Sequence, residues 1–270
     1  MQTEIDSSLI GRRIVITGAS RGMGRAMAIA FARAGARVGM IAQHDSPPLK
    51  KTLEMMGNPT HQPFVSLGNL TNPKDCARMR EELRDGLSGN VEVLINNAGV
   101  PNNGPGNPFW KVDEQEWSHI AHTNIDSIFY LSREMVPAMI EHGFGRIINI
   151  STGAMTMVRG NFAPYGPSKA FVEAASRIFA EDLKGTGVTV NVLLPGGPVD
   201  SAADVTGVPT PGRTFLPSDI MNDTALWLAS DMSHEYSGER FQANLWDKTL
   251  PLEKRIEAAR QAQKATPLIM

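Results

Sequence analysis

Tyr165 and Lys169 stand four residues apart in the stretch P-Y-G-P-S-K, Pro164 to Lys169. On a helix, positions i and i+4 share a face, so a phenol and an ammonium so spaced can reach one pocket. Apolar residues recur at Ala170, Phe171, Ala174, Ile178 and Phe179, which predicts a helix over 165–184. Pro167 is compatible with its first turn, whose N–H groups have no intrahelical partner in any case. A phenol ionises near pH ~10 and a neighbouring cation favours the phenolate, so the pair can give or take a proton near neutrality. The plainer alternative is a half-buried ring beside a solvated amine. Ser151 and Thr152 weigh against it. They end the apolar run 145–150 (G-R-I-I-N-I) thirteen or fourteen residues before Tyr165, where a hydroxyl can face a phenol opening the next helix.

A second group lies near the start. The run 12–17 (R-R-I-V-I-T) feeds Gly18, Gly22 and Gly24, with Ser20, Arg21 and Met23 among them, and then an alanine-rich helical stretch, 25–34. A strand, a glycine turn and a helix in that order suit a nucleotide: bare backbone approaches phosphate, and the helix amino end offers N–H donors with partial positive charge. The second strand, 37–42, ends at Ala42, Gln43 and His44. No carboxylate stands there to bind a ribose 2′-hydroxyl or repel a 2′-phosphate, and Arg21 can attract one. NADP(H) is therefore expected over NAD(H). The strand 91–95 ends in Asn96-Asn97-Ala98-Gly99, where the amides either tie strands together or touch a ligand. Asn124 interrupts an apolar-periodic helix running from Asp113 to about 142, a position for a kink or a function. His119 and His122 have helical spacing but no evident third ligand, so no metal is expected.

The elements that must position these groups alternate along the chain. Beyond those named, strands are expected at 63–67, 187–194 and 239–244, and helices at 48–56, 73–87 and from 216–219 to about 230. Such alternation predicts one α/β domain with a doubly wound, mostly parallel sheet and helices on both faces, over residues 1–250. A proline-rich loop over 198–216 suits a substrate cover. The tail 251–270 begins with a polar helix, 251–264, expected to pack on another subunit. The 270 residues carry a formal charge of −2, which gives no grip on nucleic acid or an anionic membrane. One cysteine, Cys76, fits a reducing compartment, and with neither a signal pattern nor a membrane-length apolar run the expected location is cytoplasmic.

With these residues in view, the chain resembles the short-chain dehydrogenase/reductase family over roughly residues 10–245, and the resemblance implies a Rossmann-type fold. The matching motifs are T-G-A-S-R-G-M-G at 17–24, N-N-A-G at 96–99, Asn124, the serine/threonine strand end, Y-x-x-x-K at 165–169 and P-G at 195–196. The resemblance implies Tyr165 as general acid/base, with Lys169 lowering its pKa and holding the nicotinamide ribose. It further implies Thr152 or Ser151 orienting the substrate carbonyl, and Asn124 supporting a proton relay. Cofactor contacts are implied at Gly18, Ser20, Arg21, Gly22, Met23, Gly24, Gln43, Asn69, Leu70, Asn97, Ala98, Gly99, Tyr165, Lys169, Pro195 and Gly196. The implied reaction is hydride transfer between a nicotinamide and a small ketone or secondary alcohol, in a homodimer or homotetramer built on the helices near 125–142 and 165–184. An NAD(H)-dependent alcohol or sugar dehydrogenase and an idle dinucleotide sensor are the alternatives. Four positions depart from the family pattern. Thr152 stands where serine is usual, and Asn69 where an acid follows the third strand. Asp200-Ser201 replaces the threonine after P-G, and the glycine pair usual after the last strand is absent around Trp246-Asp247. Met155, Met157, Arg159 and Phe162 are expected to line a mostly apolar substrate pocket.

Overall fold

The computed structural model describes residues 2–102, 106–199 and 214–261. Most of the loop expected over 198–216, with Asp200 and Ser201, lies outside the described residues, as does the tail beyond Gln261.

Among the described residues there are seven strands: β1 (Arg13–Thr17), β2 (Arg37–Ala42), β3 (Phe64–Leu67), β4 (Val93–Asn96), β5 (Gly145–Ile150), β6 (Val188–Leu194) and β7 (Arg240–Gln242). They form one sheet in the order β3-β2-β1-β4-β5-β6-β7. Every pairing is parallel, where the sequence predicted mostly parallel. Both faces are covered, which is why the central strands read as apolar runs without alternation. Along them successive residues serve opposite cores: Ile14, Ile16, Val93 and Ile95 face one, and Val15, Leu94 and Ile147 face the other.

The first core is covered by α1 (Gln2–Leu9), α2 (Gly22–Arg33), α3 (Pro47–Met56), α9 (Asn222–Ala229) and α10 (Leu252–Ala259). Trp227 lies at its centre, edge-on to Tyr236 and Phe241. The second core is covered by α4 (Pro73–Gly86), α6 (Ser127–His142) and α8 (Tyr165–Asp182). The order of strands reverses beside β1 and β4, and their carboxyl ends open the crevice in which such sheets bind ligands.

Several elements differ from expectation. Helix α2 begins at Gly22, inside the glycine turn rather than after it. The helix expected from 216–219 starts at Asn222, after a turn in which the Ile220 N–H donates to the Pro217 carbonyl (3.1 Å). Helix α1, with Ile5 and Leu9 buried, and the short α7 (Ala154–Met157) were not predicted. The tail helix α10 packs on its own chain. Leu252, Ile256 and Ala259 enter the first core, the Gln261 N–H donates to the Arg240 carbonyl (2.8 Å), and Arg260 pairs with Glu239 (2.6 Å). That packing covers the exposed edge of β7. Among the described residues no helix is long and apolar enough to cross a membrane.

Candidate active site

The glycine turn is shaped by contact. Gly18 has φ +66°, and a Cβ there would come within 3.0 Å of the Ala98 Cα. A Cβ on Gly24 would collide with the Gly18 carbonyl oxygen, so only glycine lets the start of α2 close onto the turn. The Ser20 carbonyl accepts from buried Arg25 (2.9 Å) and from the Thr52 hydroxyl (2.9 Å), which moors the turn to α3. Bare backbone at the amino end of α2, open at the strand-order reversal, fits a dinucleotide phosphate. Arg21 and Gln43 are both exposed at this rim, and Asp45 is occupied with Lys50 (3.2 Å).

The amides whose role was open are structural in their side chains. Asn97 donates to the Thr17 and Gly18 carbonyls (2.9 and 3.3 Å), while its N–H and that of Ala98 donate to the Thr17 hydroxyl (3.0 and 2.8 Å). Asn96 donates to Asn149 (2.8 Å), which in turn donates to Ser176 on α8 (2.8 Å). Asn69 accepts from the Thr71 N–H and hydroxyl (3.0 and 2.9 Å), so its amide oxygen is spent on a local turn beside Leu70. Gly196, at φ +92°, follows Pro195, whose carbonyl accepts from the Asn244 N–H (3.1 Å).

Asn124 marks a break in the long helix. A π-helical turn, His122–Asp126, separates α5 (Glu114–Ala121) from α6, a device common at functional sites. The Asn124 side chain is fully buried, accepting from the Val100 N–H (2.8 Å) and donating to the Val100 carbonyl and the Ser168 hydroxyl (both 3.0 Å). Within the same turn His122 meets Asp126 (2.7 Å). A Cβ on Gly99 would sit 3.2 Å from Asn124 Oδ1 and 3.5 Å from Lys169 Nζ, so the N-N-A-G turn, the π turn and α8 converge.

Tyr165 opens α8 and Lys169 lies one turn on, its Nζ 6.0 Å from the phenol ring centroid. The ammonium donates to the Ile150 carbonyl at the end of β5 (2.8 Å) and is only 5% exposed. Burial without a carboxylate partner brings its pKa down to about 8. Burial also pushes the Tyr165 phenol up, and a side-chain hydrogen bond with Thr152 pulls it back. In the chain by itself, then, desolvation outweighs the acidifying influence expected of Lys169. The two candidate hydroxyls part company: Thr152 is the one that favours the ionised phenol, whereas Ser151 donates to Glu173 Oε1 (3.0 Å).

Two contributors escaped the sequence reading. Asn102 donates to the Ala163 carbonyl (2.7 Å) and accepts from the Tyr165 N–H (3.3 Å), fixing the entry to α8. Arg25 moors the glycine turn as described. Neither belongs to a motif whose spacing signals it. On the expected substrate side, Met155 is exposed on α7 and Arg159 stacks on Phe162 at 4.7 Å.

A glycine-turn crevice beside a half-buried tyrosine and a buried lysine defines a dinucleotide-dependent oxidoreductase of the doubly wound class. The chain belongs to the short-chain dehydrogenase/reductase family: the family model described as short chain dehydrogenase matches residues 12–206. It is 31% identical over 245 residues to 3-oxoacyl-(acyl-carrier-protein) reductase FabG of Escherichia coli, covering 87% of this chain and 96% of that protein. The corresponding Vibrio cholerae protein is 32% identical over 247 residues, with 88% and 97% covered. A Beutenbergia cavernae structure superposes with TM-score 0.73 at 32% identity, covering 88% and 96% of the two chains. It is provisionally described as an NAD(P)-dependent gluconate 5-dehydrogenase and holds NADP at low occupancy. A Mycobacterium marinum short-chain type dehydrogenase/reductase shares the fold at TM-score 0.77 and 24% identity, with 88% and 95% covered. The protein is thus an oxidoreductase acting on carbonyl or alcohol groups with a nicotinamide dinucleotide.

Proposed function

We propose that the protein is an NADP(H)-dependent reductase that interconverts a ketone and a secondary alcohol on a small organic molecule. The observation that carries this reading is the convergence of Tyr165, Thr152, Lys169 and Asn124 on the crevice beside the glycine turn. Gly18 to Gly24 would hold the pyrophosphate, with Ser20, Arg21 and Met23 in the turn and Gln43 at its rim. Asn69, Leu70, Ala98, Gly99, Pro195 and Gly196 would lie along the remainder of the dinucleotide. When bound, the nicotinamide supplies or accepts the hydride. Tyr165 hands its phenolic proton to the developing alkoxide, or takes one from an alcohol in the reverse direction. Thr152 orients the substrate oxygen toward that phenol, and Lys169 keeps positive charge where negative charge develops. Asn124 holds the Val100 and Ser168 positions around the lysine.

Exposed Arg21 and the lack of an acid after β2 support NADP(H) over NAD(H). Exposed Phe129 on α6, with Phe171 and Ile178 on α8, supports a homodimer or homotetramer through these helices. A single buried cysteine suits a reducing compartment, and the cytoplasm is the proposed location. A panel of ketones and secondary alcohols, assayed with both cofactors by nicotinamide absorbance, tests the proposal. Turnover at least ~10-fold better with NADP(H) is expected, a difference of about 1.4 kcal/mol. A preference of that size for NAD(H) would reverse the cofactor choice, and no turnover of any carbonyl or alcohol would refute the reductase.

A further inference from the structure

We propose that Glu173 and Arg240 are positioning residues for this reaction: an ion pair between α8 and β7 that holds the end of β5 so that the Thr152 hydroxyl stays against the Tyr165 phenol. The inference rests on the function proposed above for the roles of Thr152 and Tyr165.

Three consecutive residues at the end of β5 are each held by a different side chain. The Ile150 carbonyl accepts from Lys169 Nζ (2.8 Å), the Ser151 hydroxyl donates to Glu173 Oε1 (3.0 Å), and the Thr152 carbonyl accepts from Arg240 Nη2 (3.0 Å). Arg240 Nε donates to the same Glu173 oxygen (2.8 Å), which closes the network. The sheet cannot do this work. Its last hydrogen bond here runs from the Ser151 N–H to the Leu193 carbonyl (2.9 Å), and Thr152 lies beyond the ladder. The next element, α7, is a single turn starting at Ala154. A hydroxyl on such a segment drifts unless its backbone is held, and small misplacements of a reacting group carry a large rate cost.

Arginine suits the task because its rigid fork addresses two acceptors at once, one charged and one a carbonyl, which a lysine ammonium on a flexible stem cannot reproduce. The two side chains are largely shielded, 21% exposed for Arg240 and 26% for Glu173, so the pair is not a freely solvated surface bridge. Ser151 becomes the tether to Glu173, which accounts for two adjacent hydroxyls at a strand end that needs only one for chemistry.

The test uses Arg240→Lys and Glu173→Gln in the full chain, each alone and on a Thr152→Val background. The first readout needs no substrate: ionisation of the Tyr165 phenol, followed by tyrosinate absorbance as the difference from the matching Tyr165→Phe protein. The Thr152 hydrogen bond favours the phenolate, so loosening it moves the titration to higher pH in both variants. On the Thr152→Val background, neither variant moves it further. The second readout is reduction of ethyl acetoacetate by NADPH. Here kcat falls about tenfold while KM and the NADPH affinity, read by fluorescence, stay within about twofold. An unmoved phenol titration in Glu173→Gln overturns the proposal, whether or not Arg240→Lys folds. A shift of equal size on the Thr152→Val background overturns it too, because the pair would then act by another route. If the parent fails to reduce any carbonyl but the titrations move as stated, the functional reading falls and the clamp stands.

Discussion

The two ends of the sheet bury charge to different effect. At the amino ends of the strands, Glu92 pairs with Arg12 (3.4 Å) and Arg13 (3.0 Å), and Arg12 reaches on to Asp231 (2.7 Å). Arg146, also buried, donates to the Ser230, Gly145 and Gly187 carbonyls, and both it and Arg12 lie over the Phe144 ring, at 4.2 and 4.0 Å. Burial lowers its pKa to about 10, and it stays charged at neutrality. At the carboxyl ends, Lys169 meets a carbonyl and an aromatic ring in place of a carboxylate, and its pKa falls to about 8. One end pairs its carboxylate with two arginines and keeps Arg146 charged, and the other leaves a lysine poised near neutrality. Where a buried cation lacks a carboxylate, its place decides its use: Arg146 is held by three carbonyls far from the crevice, and Lys169 lies beside the phenol.

Lys169→Met should sharpen this contrast most. Turnover is expected to fall about 10³-fold, while thermal stability at pH 7 matches or exceeds the parent. A lysine whose folded pKa is about 8 against an ordinary 10.5 binds fewer protons folded than unfolded. It therefore costs the folded state roughly 3 kcal/mol below pH 8, a cost relieved as pH rises from 8 toward 10.5. The stability advantage of Lys169→Met, measured by chemical denaturation, should shrink across that window. A variant markedly less stable than the parent at pH 7 would break the comparison.

Glu92→Gln should behave in the reverse manner. Arg13 loses its carboxylate and Arg12 one of its two, and stability should drop by about 3 kcal/mol, with kcat unchanged at temperatures where the protein stays folded. Denaturant unfolding and steady-state rates on the same preparation check both halves. A fall in kcat with unaltered stability would place chemistry at the wrong end of the sheet.

Local patterns carried much of this to the sequence. The glycine turn, the Tyr165–Lys169 spacing and the interruption at Asn124 are each set by a few neighbouring residues, so they were legible, as was the alternation that gives the doubly wound sheet. Glu173 and Arg240 lie 67 residues apart and meet only because β7 lies beside β6. Nothing local announces such a pair. The spacing of Leu252, Ile256 and Ala259 would have given α10 an apolar stripe for its own core. The fate of Asn96 and Asn97 was not legible, because an amide at a strand end suits a ligand and a neighbouring strand equally well.

The central claim is that the Tyr165 phenol moves the proton at a crevice whose other parts bind the dinucleotide. Tyr165→Phe, with NADPH affinity and carbonyl reduction measured on one preparation, tests it most directly. Turnover should fall by about 10³-fold or more while NADPH affinity changes by less than about threefold. A phenylalanine variant as active as the parent would contradict the account.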